Sequence, residues 1–155
     1  ISSIHAARKV MGTADCFICE ADLYISDLSI FDAELSRSCY YGKMVPGFSD
    51  DWVFDWDGER ITRVGKEGTD RYNMVGVSYF KKADAAVIRD AIDAAYEKPG
   101  YEGLYWDEIV DRQLDKLNLD IHPVEKEQIV EIDSVAELAV IDESYREVLE
   151  KMQAE

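Results

Sequence analysis

The chain has 155 residues, 47% of them hydrophobic, which is enough for one compact domain with its own core. Lys and Arg number 17 against 33 Asp and Glu, and the resulting formal net charge of −16 argues against binding to nucleic-acid phosphates. The sequence contains no secretory signal and no apolar run of membrane-spanning length, so we expect a cytoplasmic protein without membrane insertion.

The first predicted elements are a short helix and a buried strand that ends in acidic residues. The helix covers residues 1–11 and the strand covers residues 15–24, with Asp22 near its end. Ligands of open α/β sheets bind at the carboxyl ends of strands, and a carboxylate there is a candidate ligand for Mg²⁺. The alternative is a solvated Asp22 that caps the following turn.

The middle of the chain predicts a β-hairpin. Asp57-Gly58 lies between residues 52–55 and residues 60–65, which is a strong hairpin pattern. A further strand over residues 74–80 contains Gly76, which indicates close approach of the backbone to a ligand or a neighbouring element. The remaining predicted elements of this half are a helix over residues 28–36 and a β-rich stretch over residues 38–44, which Pro46-Gly47 ends.

The second half of the chain predicts helices around two short strands, and a closing helix. In chain order, these elements cover residues 83–97, 105–117, 120–124, 129–132 and 134–152. Ser134 and Glu137 form a capping box, which places Asp133 just outside a helix N-terminus, where the helix dipole favours an ionised carboxylate. The whole pattern predicts an α/β fold: a mixed, mainly parallel sheet with helices on its faces and a β-hairpin insertion at one edge.

Several motifs occur in an order typical of one enzyme family. They are residues 1–8, Glu20-Ala21-Asp22-Leu23-Tyr24, Leu104-Tyr105-Trp106-Asp107 and Glu131-Ile132-Asp133-Ser134-Val135. On these motifs the chain resembles the nucleotidyltransferases of the sugar-1-phosphate type, and among them the bacterial CTP:phosphocholine cytidylyltransferases. The resemblance covers nearly all of the chain and implies a partial nucleotidyltransferase, Rossmann-like fold.

The sequence departs from this family at the nucleotide-binding loop. The family opens with a strand and a glycine-rich loop that hold the nucleotide, and nothing here matches them. Gly65-Lys66-Glu67-Gly68-Thr69 is rich in glycine, but it follows a hairpin and opens no helix. We therefore expect residues 1–155 to form a single domain, the C-terminal part of a nucleotidyltransferase domain without its nucleotide-binding start.

The resemblance implies a reaction and a metal. A cytidylyl group passes from CTP to phosphocholine, and pyrophosphate is released. Asp22 and Asp133 match the family's Mg²⁺ ligands, so they are the expected catalytic and metal-binding residues. The expected partners are therefore the small molecules CTP and phosphocholine, with no nucleic acid.

The expected acceptor site is aromatic. A quaternary ammonium has no N–H group to donate, so aromatic faces and nearby carboxylates must recognise it. The candidates for substrate binding are Trp52, Tyr79, Tyr105, Trp106 and Asp107, with Trp56 a weaker candidate near an exposed turn. The alternative is that these aromatic residues pack in the core or the hairpin.

Two other functions remain open from the sequence. The first is a nucleotidyltransferase for another small phosphate, such as phosphoethanolamine, an aminophosphonate or a sugar 1-phosphate. The second is a binding module without catalysis, which the unmatched phosphate loop favours. Aromatic residues at the acceptor site would argue against a sugar, since sugars require polar hydrogen-bonding groups.

Overall fold

The computed structural model describes residues 1–125 and 127–153. The described helices are α1 (Ser2–Ala6), α2 (Lys82–Tyr96), α3 (Trp106–Asp111), α4 (Val135–Ile141) and α5 (Arg146–Gln153). The described strands are β1 (Cys16–Cys19), β2 (Leu23–Ile25), β3 (Cys39–Trp56), β4 (Ile61–Phe80), β5 (Asp120–Pro123) and β6 (Ile129–Glu131). Short 3-10 helices cover Leu28–Phe31, Tyr101–Gly103 and Glu143–Tyr145.

The strands form one four-stranded sheet in the order β1-β4-β3-β5 and a two-stranded sheet, β2-β6. The predicted mixed α/β class is confirmed. The sheet is not mainly parallel, however, because β3–β5 is parallel whereas β1–β4, β3–β4 and β2–β6 are antiparallel. The reason is the connection between β3 and β4, which a short turn joins directly without a crossover helix.

The predicted hairpin exists, but it forms the centre of the sheet instead of an insertion at its edge. Asp57 stabilises the turn, since its Oδ1 accepts hydrogen bonds from the backbone N–H groups of Glu59 and Arg60, both at 2.9 Å. Each arm joins two stretches that the sequence predicts as separate strands. In β3, a register shift between Val45 and Phe48 lets the strand continue past Pro46-Gly47.

The acidic strand predicted over residues 15–24 divides into two strands that belong to different sheets. β1 pairs with β4 as far as Cys19↔Val77, and the chain then turns so that β2 pairs with β6. Asp22 therefore lies in the turn between two strands. The closing helix also divides, because Asp142 is extended and its Oδ1 accepts a hydrogen bond from the backbone N–H of Ser144 at 2.9 Å. The predicted helix over residues 105–117 is regular only in α3.

The main core lies between the four-stranded sheet and helices α2 and α3. Its largest fully buried side chains include Tyr40, Phe54, Phe80, Ile88 and Ile92. A second apolar cluster on the other face of the sheet is built on Tyr41, Val77 and Ile129, among others. Tyr40 and Tyr41 are adjacent in β3 and belong to different clusters, as strand alternation requires. In the part of the chain that the structure describes, no helix is long and apolar enough to cross a bilayer.

Candidate active site

Three carboxylates converge where β2 meets β6. Glu20, Asp22 and Glu131 each place one oxygen so that the three oxygens lie within 4.8 Å of one another. The backbone brings them together, because Leu23 is the register partner of Glu131 and the Ile132 N–H donates to the carbonyl of Asp22 at 2.8 Å. We call Glu20, Asp22 and Glu131 the carboxylate cluster.

Asp133 lies beside this cluster, at the start of α4. Its backbone N–H donates to Glu137 Oε2 at 2.9 Å, and the Glu137 N–H donates to Ser134 Oγ at 3.2 Å. Ser134 is therefore the N-cap, as predicted, but Glu137 returns its bond to the backbone of Asp133 instead of that of Ser134. Asp22 precedes β2 and Asp133 follows β6, so the two residues adjoin paired strands. The Asp133 carboxylate is not among the three that converge within 4.8 Å.

The electrostatics of the cluster favour a bound cation. Removal from water raises the pKa of Glu20, and the charges of Asp22, Asp51 and Asp133 raise it further. The pKa of Glu131 is raised by the same loss of solvent and by the neighbouring charges of Asp133, Glu20, Asp22 and Asp51. Carboxylate oxygens are the donors that Mg²⁺ prefers, so these residues fit the metal that the family implies.

Gly76 allows Glu20 to approach β4. The Glu20 N–H donates to the Gly76 carbonyl at 2.9 Å. Gly76 has φ +74°, and a Cβ atom there would lie 2.8 Å from Glu20 Oε2 and 3.0 Å from Leu23 Cδ2. The close approach expected at this glycine is therefore made by a neighbouring segment of the chain, the one that carries the cluster.

Two of the predicted aromatic residues contact each other. The rings of Trp52 and Tyr105, which we call the aromatic pair, meet edge to face, with centroids 5.4 Å apart and an interplanar angle of 65°. Asp51 precedes Trp52 in β3, and its Oδ1 accepts a hydrogen bond from the backbone N–H of Trp52 at 2.7 Å. The charge of Asp51 also contributes, after burial and nearer carboxylates, to the raised pKa values of Glu20 and Glu131.

Trp106 forms a wall of the site. It borders a cleft of about 340 Å³ together with Glu20 and Asp22, and its ring stacks against Tyr40 at a centroid distance of 6.0 Å. Tyr40 in turn donates its hydroxyl hydrogen to Asp107 Oδ1 at 2.9 Å.

Asp107 lies behind this wall and is only 4% exposed. Burial raises its pKa to about 7, although the Tyr40 hydrogen bond opposes the shift and the charge of Glu20 adds to it. The Asp107 carboxylate therefore positions Tyr40 by a hydrogen bond, and Tyr40 in turn packs against Trp106. Asp107 is too buried to contact a ligand itself.

The structure does not bring Tyr79 to this group. Tyr79 donates its hydroxyl hydrogen to Asp15 Oδ2 at 2.9 Å and packs on Phe17, with ring centroids 5.0 Å apart. Its neighbour Phe80 is in the main core, whereas Tyr79 packs against the second apolar cluster on the opposite face. Trp56, at the end of β3, is 46% exposed, as expected near a turn.

Asp22 and Asp133 are predicted from the sequence as site residues, whereas Glu20, Asp51 and Glu131 are not. A signal for two of these residues was present, because Glu20-x-Asp22 and Glu131-x-Asp133 repeat the same Glu-x-Asp spacing. Asp51 had no comparable signal, since its charge acts on Glu20 from a segment that is distant in the chain.

Comparisons of sequence show two cytidylyltransferases. The chain is 51% identical over 146 residues to the 2-aminoethylphosphonate cytidylyltransferase of Lancefieldella rimae, a match that covers 94% of the chain and 59% of the relative. It is 26% identical over 131 residues to the choline-phosphate cytidylyltransferase of Streptococcus pneumoniae, over 84% of the chain and 57% of that relative. No protein-family model matches the chain.

Comparisons of structure show the same fold. The CTP:phosphocholine cytidylyltransferase from Streptococcus pneumoniae superposes with a TM-score of 0.78 at 23% identity, over 94% of this chain and 63% of that one. The inositol-1-phosphate CTP transferase from T. maritima superposes with a TM-score of 0.55 at 15% identity, over 93% of this chain and 58% of that one. These likenesses confirm the nucleotidyltransferase-like fold.

Together, the comparisons support the expected relationship at the level of the cytidylyltransferases. The higher sequence identity is to an enzyme named for 2-aminoethylphosphonate, whereas the sequence motifs pointed to phosphocholine. The chain spans less than two thirds of the length of both curated relatives.

Proposed function

We propose that this chain supplies the acceptor-binding and metal-binding part of an Mg²⁺-dependent cytidylyltransferase whose acceptor is 2-aminoethylphosphonate. The observation that carries the proposal is the 51% identity to a 2-aminoethylphosphonate cytidylyltransferase across 94% of the chain, a span that includes most of the site. The predicted phosphocholine enzyme becomes the second candidate. A non-catalytic module is the alternative that the experiment below excludes or supports.

The carboxylate cluster and Asp133 would hold the metal. Asp22 and Glu131 project from the paired ends of β2 and β6, and Glu20 reaches the same point from the end of β1. A bound Mg²⁺ would neutralise phosphate charge between nucleotide and acceptor. The protein's own contribution is to fix acidic oxygens from three strand ends at one place.

The acceptor would lie between the aromatic pair and the carboxylate cluster. Its ammonium group would lie near Trp52 and Tyr105, where Asp51, the residue before Trp52, is a candidate hydrogen-bond acceptor. Its phosphonate would then face the cluster, where a bound cation offsets the repulsion between anions. Trp106, held by Tyr40, limits the width of the cleft next to Glu20 and Asp22.

The proposed reaction needs positioning more than covalent chemistry. A phosphonate oxygen of the acceptor attacks the α-phosphorus of CTP in line and forms a new P–O bond. The bond between the α-phosphorus and the bridging oxygen breaks, and that oxygen leaves with pyrophosphate. No side-chain nucleophile is required, and the carboxylates act by holding charge in place.

Phosphocholine is the second candidate acceptor because of the aromatic pair. Two rings 5.4 Å apart beside a carboxylate are suited to a quaternary ammonium, which makes no N–H hydrogen bonds. The more distant relative, at 26% identity, is a choline-phosphate cytidylyltransferase. Phosphoethanolamine combines the primary ammonium group of 2-aminoethylphosphonate with the phosphate group of phosphocholine.

Pyrophosphate release from CTP by the full-length protein tests the proposal, with each acceptor supplied separately. We expect release with Mg²⁺ and 2-aminoethylphosphonate at a higher kcat/KM than with phosphocholine, phosphoethanolamine or glucose 1-phosphate. A higher kcat/KM for phosphocholine would establish the second candidate. Release with none of these acceptors, from a folded full-length protein, would contradict the proposed reaction and favour the binding module.

A further inference from the structure

Lys66 already places a cation on the aromatic pair. It lies on β4 as the register partner of Trp52 on β3. Its Nζ is 5.8 Å from the centroid of the Trp52 ring and 5.5 Å from that of Tyr105. Both distances are within the range of a cation–π interaction, so one ammonium group contacts both rings.

The backbone around Lys66 is fixed, although its side chain is exposed. Arg63 donates from Nη1 to the Lys66 carbonyl at 3.1 Å and from Nη2 to the Glu67 carbonyl at 2.9 Å. Glu67 has φ +66°, a left-handed conformation within β4. Within the described part of the chain, no carboxylate lies within 4.0 Å of the Lys66 ammonium, so the two rings are its partners.

A second cation cannot share these ring faces freely. Two like charges a few ångströms apart repel each other, and the second must displace the first or bind elsewhere. We propose that Lys66 determines acceptor specificity: by occupying the Trp52–Tyr105 pair, it disfavours an acceptor with a quaternary ammonium relative to one with a primary ammonium. This inference rests on the proposed function, because it concerns the acceptor of that same site.

The discrimination follows from the chemistry of the two ammonium groups. A trimethylammonium group has no N–H donor and depends on aromatic faces, so it must displace Lys66 in order to bind. A primary ammonium has three N–H donors, which can bind a carboxylate such as that of Asp51, the sequence neighbour of Trp52, while Lys66 stays on the rings. Lys66 therefore penalises phosphocholine and leaves 2-aminoethylphosphonate largely unaffected.

Calorimetric titration of the full-length protein with phosphocholine and with 2-aminoethylphosphonate tests this role in wild type, Lys66→Met and Lys66→Arg. In Lys66→Met, we expect phosphocholine to bind about 2- to 30-fold more tightly, the equivalent of one released cation–π interaction. We expect the Kd of 2-aminoethylphosphonate to change by less than about twofold. Lys66→Arg keeps a cation on the rings and should retain the wild-type preference.

The ratio of the two Kd values is the decisive readout. Loss of one positive charge changes the electrostatic potential for both acceptors alike, since each carries one ammonium and one phosphorus acid group. This shared effect cancels in the ratio of the two Kd values. Lys43→Met, on the neighbouring strand β3, is the matched control and should leave the ratio unchanged. Adding Trp52→Ala to Lys66→Met should remove the gain for phosphocholine, because the vacated ring is then absent.

The outcomes separate this inference from the proposed function. A shifted ratio in Lys66→Met alone supports the inference. An unchanged ratio, or weaker phosphocholine binding, in a protein that still transfers cytidylyl groups overturns the role of Lys66 and leaves the proposed function intact. If the wild-type protein neither binds nor uses any of these acceptors, the proposed function fails and the inference fails with it.

Discussion

Asp22 and Glu131 owe their proximity to main-chain pairing. The Asp22 carbonyl accepts from the Ile132 N–H, and Glu131 lies across from Leu23, so the two acidic residues cannot separate without breaking the β2–β6 pair. Repulsion between their charges is therefore built into the fold. Burial raises the pKa values of Glu20 and Glu131, and the charge of Asp22 adds to both shifts.

Replacement of a cluster carboxylate should abolish most of the activity without unfolding the protein. In the full-length protein, Asp22→Asn in the cluster, or Asp133→Asn beside it, should lower kcat for pyrophosphate release at least about 100-fold, since each would remove a charge that we propose holds the metal. The exposed Asp32, which lies outside the site, provides the control Asp32→Asn, with kcat expected near that of wild type. Equal kcat values for Asp22→Asn and the control would show that Asp22 is not a metal ligand.

Asp107 should make stability depend on pH in an unusual direction. Its pKa is about 7 in the folded protein against 3.8 for an ordinary Asp, so the folded state holds its proton longer than the unfolded state does. Raising the pH from about 4 to about 7 should then lower the free energy of unfolding by up to about 4 kcal/mol from this residue.

Chemical denaturation of wild type and Asp107→Asn across this pH range isolates that contribution. Asn can still accept the Tyr40 hydrogen bond but cannot ionise. As the pH rises, the free energy of unfolding of wild type should therefore fall relative to that of Asp107→Asn. Asp115 is exposed, so the free energy of unfolding of Asp115→Asn should change with pH in the same way as that of wild type. A constant difference between wild type and Asp107→Asn would mean that Asp107 does not titrate between pH 4 and 7.

Among the elements, those with strong local patterns were predicted best. The amphipathic helix predicted over residues 83–97 is α2, and the Asp57-Gly58 turn joins β3 to β4. Local signals were sufficient there, because helix periodicity and turn chemistry act over a few residues. The division of the acidic strand into β1 and β2 could not be read in this way, since it depends on which distant strand each half pairs with.

The turn between β1 and β2 packs closely against Gly76 of β4. A single methyl group at residue 76 should disrupt this contact. Gly76→Ala would place Cβ 2.8 Å from Glu20 Oε2 in a backbone conformation with φ +74°. We expect a loss of about 1–3 kcal/mol in the free energy of unfolding from the strained backbone and the displaced Glu20.

Gly103→Ala is the matched control, because no atom lies within 4 Å of the added Cβ and its φ is not in the left-handed region. Its unfolding free energy should stay within about 0.5 kcal/mol of wild type or rise slightly. Denaturant unfolding of both variants measures the difference. Equal stabilities would show that the β1–β2 segment accommodates a side chain at residue 76.

At the scale of the whole molecule, the sequence predicted the relationship to other proteins better than it predicted the pairing of the strands in the sheet. The order of the motifs indicated a resemblance to the cytidylyltransferases, which the sequence comparisons support, whereas the alternation of strands and helices suggested a mainly parallel sheet. That pattern says which elements occur but not which strands become neighbours, and the long β3–β4 hairpin settles this in favour of antiparallel pairing. The acceptor was the least predictable feature, because the same aromatic residues serve ammonium groups of either kind.

The candidate site was predicted only in part, because the sequence does not say which distant segments become neighbours. Asp22 and Trp106 border the same cleft, and Trp52 contacts Tyr105, although the members of each pair come from segments that are distant in the chain. Tyr79 was assigned to this group because its strand approaches the same sheet edge, but alternation sends its side chain to the other face.

In the proposed reaction, the carboxylate cluster holds a metal next to the phosphorus of the acceptor. The most direct measurement is the ³¹P linewidth of 2-aminoethylphosphonate bound to the full-length protein, with paramagnetic Mn²⁺ in place of Mg²⁺. We expect strong broadening in the wild-type protein and its loss in the double variant Asp22→Asn/Glu131→Gln at the same Mn²⁺ concentration. Broadening that persists in the double variant, or bound acceptor without broadening in the wild type, would contradict the account.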